Sequence, residues 1–159
     1  MAEFTHIDGS GNAIMVDVSE KDITKRTAVA TGKILVGPEV IKALKDSSVP
    51  KGDVLAAARI AGIFACKRTP EIIPLCHKIS ITKASVDFKI NWEEESVTAL
   101  CSVSTTGKTG AEMEALTGVN AALLTIYDMC KAINKSMVMS DIHLVTKTGG
   151  KSGDFSFGG

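Results

Sequence analysis

Between Ile79 and Ile133 the hydrophobic period changes once, from two residues to 3.6, and that change dictates much of what the chain can become. Val86, Phe88 and Ile90 alternate within 79–92, Glu93-Glu-Glu-Ser96 supplies a turn, and Val97, Ala99, Cys101 and Val103 alternate back. Two such runs make an antiparallel hairpin with one apolar face. A glycine-rich turn, Thr106-Gly-Lys-Thr-Gly110, follows and presents Lys108. Then Leu116, Val119, Leu123, Ile126, Cys130 and Ile133 recur at helical spacing, predicting a helix over 111–134 whose stripe faces the core.

The remaining elements are read the same way. Residues 27–36 alternate loosely and form a first strand. Pro38 suits the first turn of a short helix through Lys45. Val49-Pro-Lys-Gly-Asp53 is a turn whose last residue is a good N-cap, and the helix it starts is ended by Thr69-Pro70. An irregular connector covers 72–77, and a last strand covers 142–146. Strand, helices, strand, strand, helix, strand is the order of an α+β, ferredoxin-like antiparallel sheet with helices on one face. At 159 residues the chain is one domain. Residues 1–26 read as a mobile N-terminal arm and 147–159 as a Gly-rich mobile tail. Aromatics are only 4%, so the core must be aliphatic and alanine-rich. Too few are left to cover the open sheet face, which is expected to meet another subunit.

Composition also removes whole classes of function. Eighteen basic residues balance eighteen acidic ones, so no bulk field favours nucleic acid or an anionic membrane, and any anion site must be local. The N-terminus is not basic and no apolar h-region follows, so no secretory signal is expected. The most apolar window, 54–66, is too short for a bilayer and is broken by Arg59. A cytoplasmic protein is expected. Cys66, Cys76, Cys101 and Cys130 contain no Cys-x-x-Cys pair and read as reduced thiols, mostly buried.

Several residues exceed what packing needs. A second stripe on the long helix carries Glu114, Thr117, Ala121, Leu124, Thr125, Asp128 and Lys131. Glu114 and Asp128 lie about 21 Å apart along the axis, too far for one small ligand to touch both within one chain. An oligomer that brings them together is one solution, and a merely solvated face with a surface Asp–Lys pair is the other. Lys51 sits at a helix N-terminus beside Gly52, where backbone N–H groups favour phosphate. His77 can move protons near neutral pH, but in an extended segment Cys76 points the other way, so the two are not a thiolate–imidazole pair. His6, His77 and His143 have no zinc spacing. Gly107-Lys-Thr109 and Gly150-Lys-Ser152 both lack the first glycine of a P-loop, having Ser102 and Val145 there. Lys147 and Lys151 in the glycine-rich end could still close over an anion.

Read together, these segments resemble the MoaC family, the cyclic pyranopterin monophosphate synthases of molybdenum-cofactor (molybdopterin) biosynthesis. The resemblance rests on Met15-Val-Asp-Val-Ser19, Lys51-Gly-Asp53, Ala58-Arg-Ile-Ala-Gly62, Ile73-Pro-Leu-Cys-His77, Thr106-Gly-Lys-Thr-Gly110 with Glu112-Met-Glu-Ala-Leu-Thr117, Leu124-Thr-Ile-Tyr-Asp-Met-Cys-Lys131, and Gly149-Gly-Lys-Ser-Gly-Asp154. These span nearly the whole chain in order. Lys78 departs from the proline the family commonly has after Cys-His, which bears on the turn after His77.

The resemblance implies a lyase. Its GTP-derived substrate is a cyclised dihydro-GTP, with C8 of the base joined to C3′ of the ribose, which is rearranged to the pyranopterin as pyrophosphate leaves. No cofactor is implied. Carried over by position, the catalytic residues are Asp128, Lys131, Lys51 and His77. Substrate contacts fall on Leu75, Cys76, His77, Glu112, Met113 and Glu114, with Lys147 and Lys151 as candidates for the phosphates. Repeated proton transfer suits Asp128, Lys131 and His77; charge developing on pyrophosphate suits the lysines; and Glu114 suits the N–H edge of a guanine-like ring. The family further implies a homohexamer, a trimer of dimers with interface sites, and hand-over of substrate from an upstream radical GTP cyclase.

Two other classes are compatible with the same element order. An RNA-recognition module would need strand aromatics, and only Phe88 and Trp92 are offered. A structural oligomer would use the charged stripe for intersubunit ion pairs alone.

Overall fold

The computed structural model describes residues 7–158, so the first six residues of the expected arm, His6 among them, and Gly159 lie outside it. The elements run β1 (Thr24–Leu35), α1 (Pro38–Lys45), α2 (Val54–Ile72), β2 (Ile81–Asn91), β3 (Ser96–Gly107), α3 (Glu112–Cys130), β4 (Val138–Thr148) and β5 (Phe155–Ser156). The chain is α+β: one five-stranded sheet in the order β2-β3-β1-β4-β5 with every neighbouring pair antiparallel. Helices α2 and α3 pack against each other and on the same sheet face.

That face is built by alternation. Ala28, Ala30 and Ile34 of β1, Val86 of β2, and Val97, Ala99, Cys101 and Val103 of β3 point at the helices and are buried. They meet Val119, Ala122, Leu123 and Ile126 of α3, all fully buried. With few aromatics, the layers fit by close backbone approach. A Cβ on Gly62 of α2 would lie 2.9 Å from the Gly118 carbonyl, and one on Gly118 only 2.6 Å from Cys101 Sγ. Glycine at both positions lets α2, α3 and β3 meet without voids. The opposite sheet face carries hydroxyls and charges: Thr27 bonds Ser104 at 3.0 Å, and Lys33 lies between Glu94 and Asp141 at 3.8 and 3.4 Å.

Four boundaries differ from the sequence reading. Helix α2 continues past Thr69 to Ile72, because Pro70 in the last turn removes a single hydrogen bond while Ile73 N–H still reaches the Thr69 carbonyl at 2.9 Å. Helix α3 stops at Cys130, whose carbonyl accepts from both Ile133 and Asn134 in a tight closing turn. Strand β1 begins three residues early, at Thr24. Strand β4 is more than twice the expected length, but register shifts against β1 and a positive φ at Asp141 (55°) disturb its alternation.

Candidate active site

Functional side chains gather at the two ends of α3. At the C-terminal end, the turn before α2 is closed by Gly52 at φ 95° and capped by Asp53, whose carboxylate accepts from Ala56 N–H at 3.0 Å. This fixes Lys51 over the last turn of α3. Its Nζ donates to Asp128 Oδ2 at 2.8 Å and to the Asp128 carbonyl at 3.0 Å, across 77 residues of sequence. Lys131 Nζ meets the other carboxylate oxygen at 2.7 Å. The two ammonium groups, Lys131 first and then Lys51, hold the Asp128 carboxyl at a pKa of about 2, and Asp128 in turn raises Lys131. All three are about half exposed. An ammonium has three N–H donors, so Lys51 keeps one and Lys131 keeps two for an incoming anion.

At the N-terminal end of α3 a cavity of about 500 Å³ is lined by Leu75, Cys76, His77, Glu112, Met113 and Glu114. All six had been named from sequence, and the connector after α2 brings the first three over the start of α3. His77 Nε2 lies 2.7 Å from the Val16 carbonyl, which can only accept, so Nε2 carries the proton and Nδ1 is the open position. Cys76 donates to Glu114 Oε1 at 3.8 Å. Burial, then the Glu114 charge, push the Cys76 thiol up to about 11, so it stays a neutral donor rather than a nucleophile.

Glu114 belongs to the core side of α3, not to the exposed stripe. It is 1% exposed, at the edge of the buried arc that includes Ala115, Gly118 and Ala122, and burial raises its pKa. Glu112 is partnered by Lys147 of β4 at 3.1 Å. Lys151 is exposed in the turn that follows β4.

Sequence reasoning missed two further groups. Arg26 of β1 donates from Nε to the Gly107 carbonyl at 3.1 Å, and its guanidinium lies against Gly150 and joins Lys147 and Glu112 around a small recess. The pair Gly149 and Gly150, at φ 85° and 89°, turns the chain back here, and a Cβ on either would collide with the Lys25 carbonyl or with Arg26. The only sequence signal for this was the glycine pair itself. The second group is the segment 16–19. Besides the Val16 contact with His77, the Ser19 carbonyl accepts from Lys108 Nζ at 2.6 Å. Asp17 is held below the usual carboxylate range, first by hydrogen bonds from Ser19 and also by the charge of Lys108.

The structure therefore unites Lys51, Asp128 and Lys131 in one cluster, and His77, Cys76, Glu112, Glu114 and Lys147 in another. It does not unite the two clusters: Glu114 and Asp128 are about 21 Å apart on a continuous helix. Among the described residues no three His, Cys, Asp or Glu side chains gather as a metal site would require, and no helix is long and apolar enough to cross a membrane.

Comparison with known proteins gives a consistent answer. The model of the MoaC family matches residues 15–150. A cyclic pyranopterin monophosphate synthase of Clostridium perfringens is 53% identical over 155 residues, covering 98% of both chains. Proteins of the same name from Roseiflexus sp. and Nocardioides sp. are 54% and 55% identical, over 98% and 96% of this chain and 98% and 94% of their own.

Proposed function

The chain belongs to the MoaC family, and from that membership we propose that it converts (8S)-3′,8-cyclo-7,8-dihydroguanosine 5′-triphosphate to cyclic pyranopterin monophosphate with release of pyrophosphate. The step is a lyase reaction early in molybdenum cofactor biosynthesis. The observation that carries this reading is the pair of half-sites on α3, whose chemistries match the two ends of such a substrate.

The heterocyclic end needs an enclosed pocket with acceptors for N–H groups and a proton carrier. Glu114 at the inner wall, Glu112 beside it, and His77 with Nδ1 open answer that need. The phosphate end needs cations that keep free donors. Lys51 and Lys131 have them, and Arg26, Lys147 and Lys151 extend the positive surface near the other half-site. Asp128, ionised down to a pKa of about 2, is a weak base as it stands. Its role in this reading is to hold both ammonium groups in place and to keep Lys131 protonated as the acid. His77 takes protons from the ring, while Leu75, Cys76 and Met113 shape its binding.

Since one helix separates the half-sites, a complete site requires Lys51, Asp128 and Lys131 of one subunit against His77, Glu112 and Glu114 of another. A ferredoxin-like protomer, supported by the β2-β3-β1-β4 order, in a homohexamer of three dimers meets that requirement. In this account the glycine-rich segment of Lys147 and Lys151 closes over bound substrate, and the reaction runs in the cytoplasm on substrate handed over by a radical GTP cyclase.

The test is turnover of the cyclised dihydro-GTP, with the pyranopterin detected after oxidation. Wild type should release pyrophosphate and pyranopterin in equal amounts, and Asp128→Ala, intact as an oligomer, should not. Equal turnover by both would remove Asp128 from the chemistry. No turnover by wild type, with binding retained, would replace the enzyme reading with a binding one.

A further inference from the structure

Two buried thiols take no part in the site described above. Cys66 of α2 and Cys101 of β3, distant in sequence, lie with their sulfurs 3.6 Å apart and are 1% and 0% exposed. Nothing wedges between them from the third element present, α3, because Gly118 faces both sulfurs with no side chain. A disulfide needs a separation of about 2 Å, so closure asks each sulfur for a shift of less than about 1 Å, within reach of small side-chain rotations.

Burial alone would make such a pair inert, but Cys66 has a route to solvent. It lines a cavity of about 260 Å³ between α2 and the start of β2, together with Lys67, Lys78 and Glu114. That volume admits a molecule the size of hydrogen peroxide. We propose that Cys66 and Cys101 form a peroxide-oxidisable dithiol, in which Cys66 reacts through this cavity and Cys101 resolves the product to a disulfide joining α2 to β3.

The chemistry balances with the peroxide as sole oxidant. Cys66 sulfur attacks one peroxide oxygen, the O–O bond breaks, and the departing oxygen leaves as water with the thiol proton. The resulting sulfenic acid is attacked at sulfur by Cys101; the S–O bond breaks, and a second water leaves with the Cys101 proton. Two thiols and one peroxide give one disulfide and two waters. Access sorts the roles: Cys66 lines the cavity and Cys101 does not, and the contact between the two sulfurs lowers the Cys66 thiol and raises that of Cys101. Of the charged groups on the same cavity, Lys67, Lys78 and Glu114, the Glu114 carboxylate opposes the Cys66 thiolate.

Exposure by itself would favour a different outcome, since Cys76 is the one thiol that is not fully buried. The two orders of reaction are separable. The intact protein is treated with limiting hydrogen peroxide, denatured, and its remaining thiols are capped with a maleimide. The proposal expects two capped thiols where the untreated chain has four, with a dithiothreitol-reversible Cys66–Cys101 cross-link in the unreduced peptide map. A Cys76→Ala, Cys130→Ala double variant keeps the cross-link, and Cys101→Ala leaves Cys66 as a sulfenic acid that dimedone labels. Four capped thiols after treatment of wild type, a cross-link through Cys76 or Cys130, or oxidation of Cys76 ahead of the pair would each overturn it.

Discussion

Replacing Glu114 by Gln changes one titrating oxygen and almost no volume, so it isolates what burial does to this carboxyl. Glu114 is 1% exposed, its side-chain partner is the Cys76 thiol at 3.8 Å, and its pKa is raised from an ordinary 4.5, first by burial. The sign follows from linkage. In the unfolded chain the group ionises above 4.5, whereas in the folded chain it holds its proton to higher pH. Its contribution to stability is therefore fully present below 4.5 and is lost as pH rises through the folded value. One proton sets the ceiling: within that window wild type loses up to about 1.4 kcal/mol per pH unit that the Gln variant does not lose. At pH 4 both proteins carry a neutral side chain, and the isosteric exchange should cost less than about 1.5 kcal/mol.

Urea unfolding at fixed protein concentration, repeated from pH 4 to pH 8, measures the difference directly. Every other titrating group is common to the two proteins, so the Gln variant should gain on wild type as pH rises. A difference that stays flat, or that moves toward wild type, would mean that Glu114 is ionised in the folded state and that its surroundings are more polar than described.

Three other perturbations have definite outcomes. Asp128→Asn removes the carboxylate that raises Lys131, so the alkaline limb of kcat/KM should move to lower pH; an unmoved limb would show that Lys131 does not titrate in turnover. Ile126→Ala empties a fully buried site on α3 and should cost about 2–5 kcal/mol in thermal or urea unfolding, with a loss of soluble protein rather than a slower step. Gly118→Ala, which would favour an isolated helix by about 1 kcal/mol, should instead destabilise by about 1–3 kcal/mol. Its Cβ would sit 2.6 and 2.7 Å from the sulfurs of Cys101 and Cys66, and a neutral effect would mean the layers pack more loosely there.

Much of this architecture was legible because local chemistry and tertiary need agree. Pro38 and Asp53 mark helix starts that the fold uses as written, and the alternation on either side of Glu93–Ser96 survives as β2 and β3. Legibility ends where tertiary contacts override pattern. Strand β4 looked short because its register against β1 shifts twice and Asp141 takes a left-handed backbone. Glu114 looked exposed because a helical carboxylate usually is; it is buried by α2, whose approach depends on Gly62 and Gly118. Arg26 gave no signal, because it fell at the end of the segment read as an arm and its partner, the returning Gly149-Gly150 turn, lies far along the chain. Conversely, six of the nine residues that line the cavity were named from motif position, Ile73, Thr109 and Gly110 being the others, and the structure adds the tautomer of His77 and the neutrality of Cys76, which spacing does not reveal.

The central claim is that a working site takes one half from each of two subunits, and mixing two dead variants tests it most directly. Asp128→Ala lacks the lysine-clamped half and His77→Ala lacks the cavity half, so each alone should be inactive. Co-expressed in equal amounts and purified as mixed oligomers, they should recover about a quarter of wild-type turnover, because each site draws its two halves independently from two chains. If the mixed oligomers stay as inactive as their parents, both halves must come from the same chain, and the composite site across α3 is wrong.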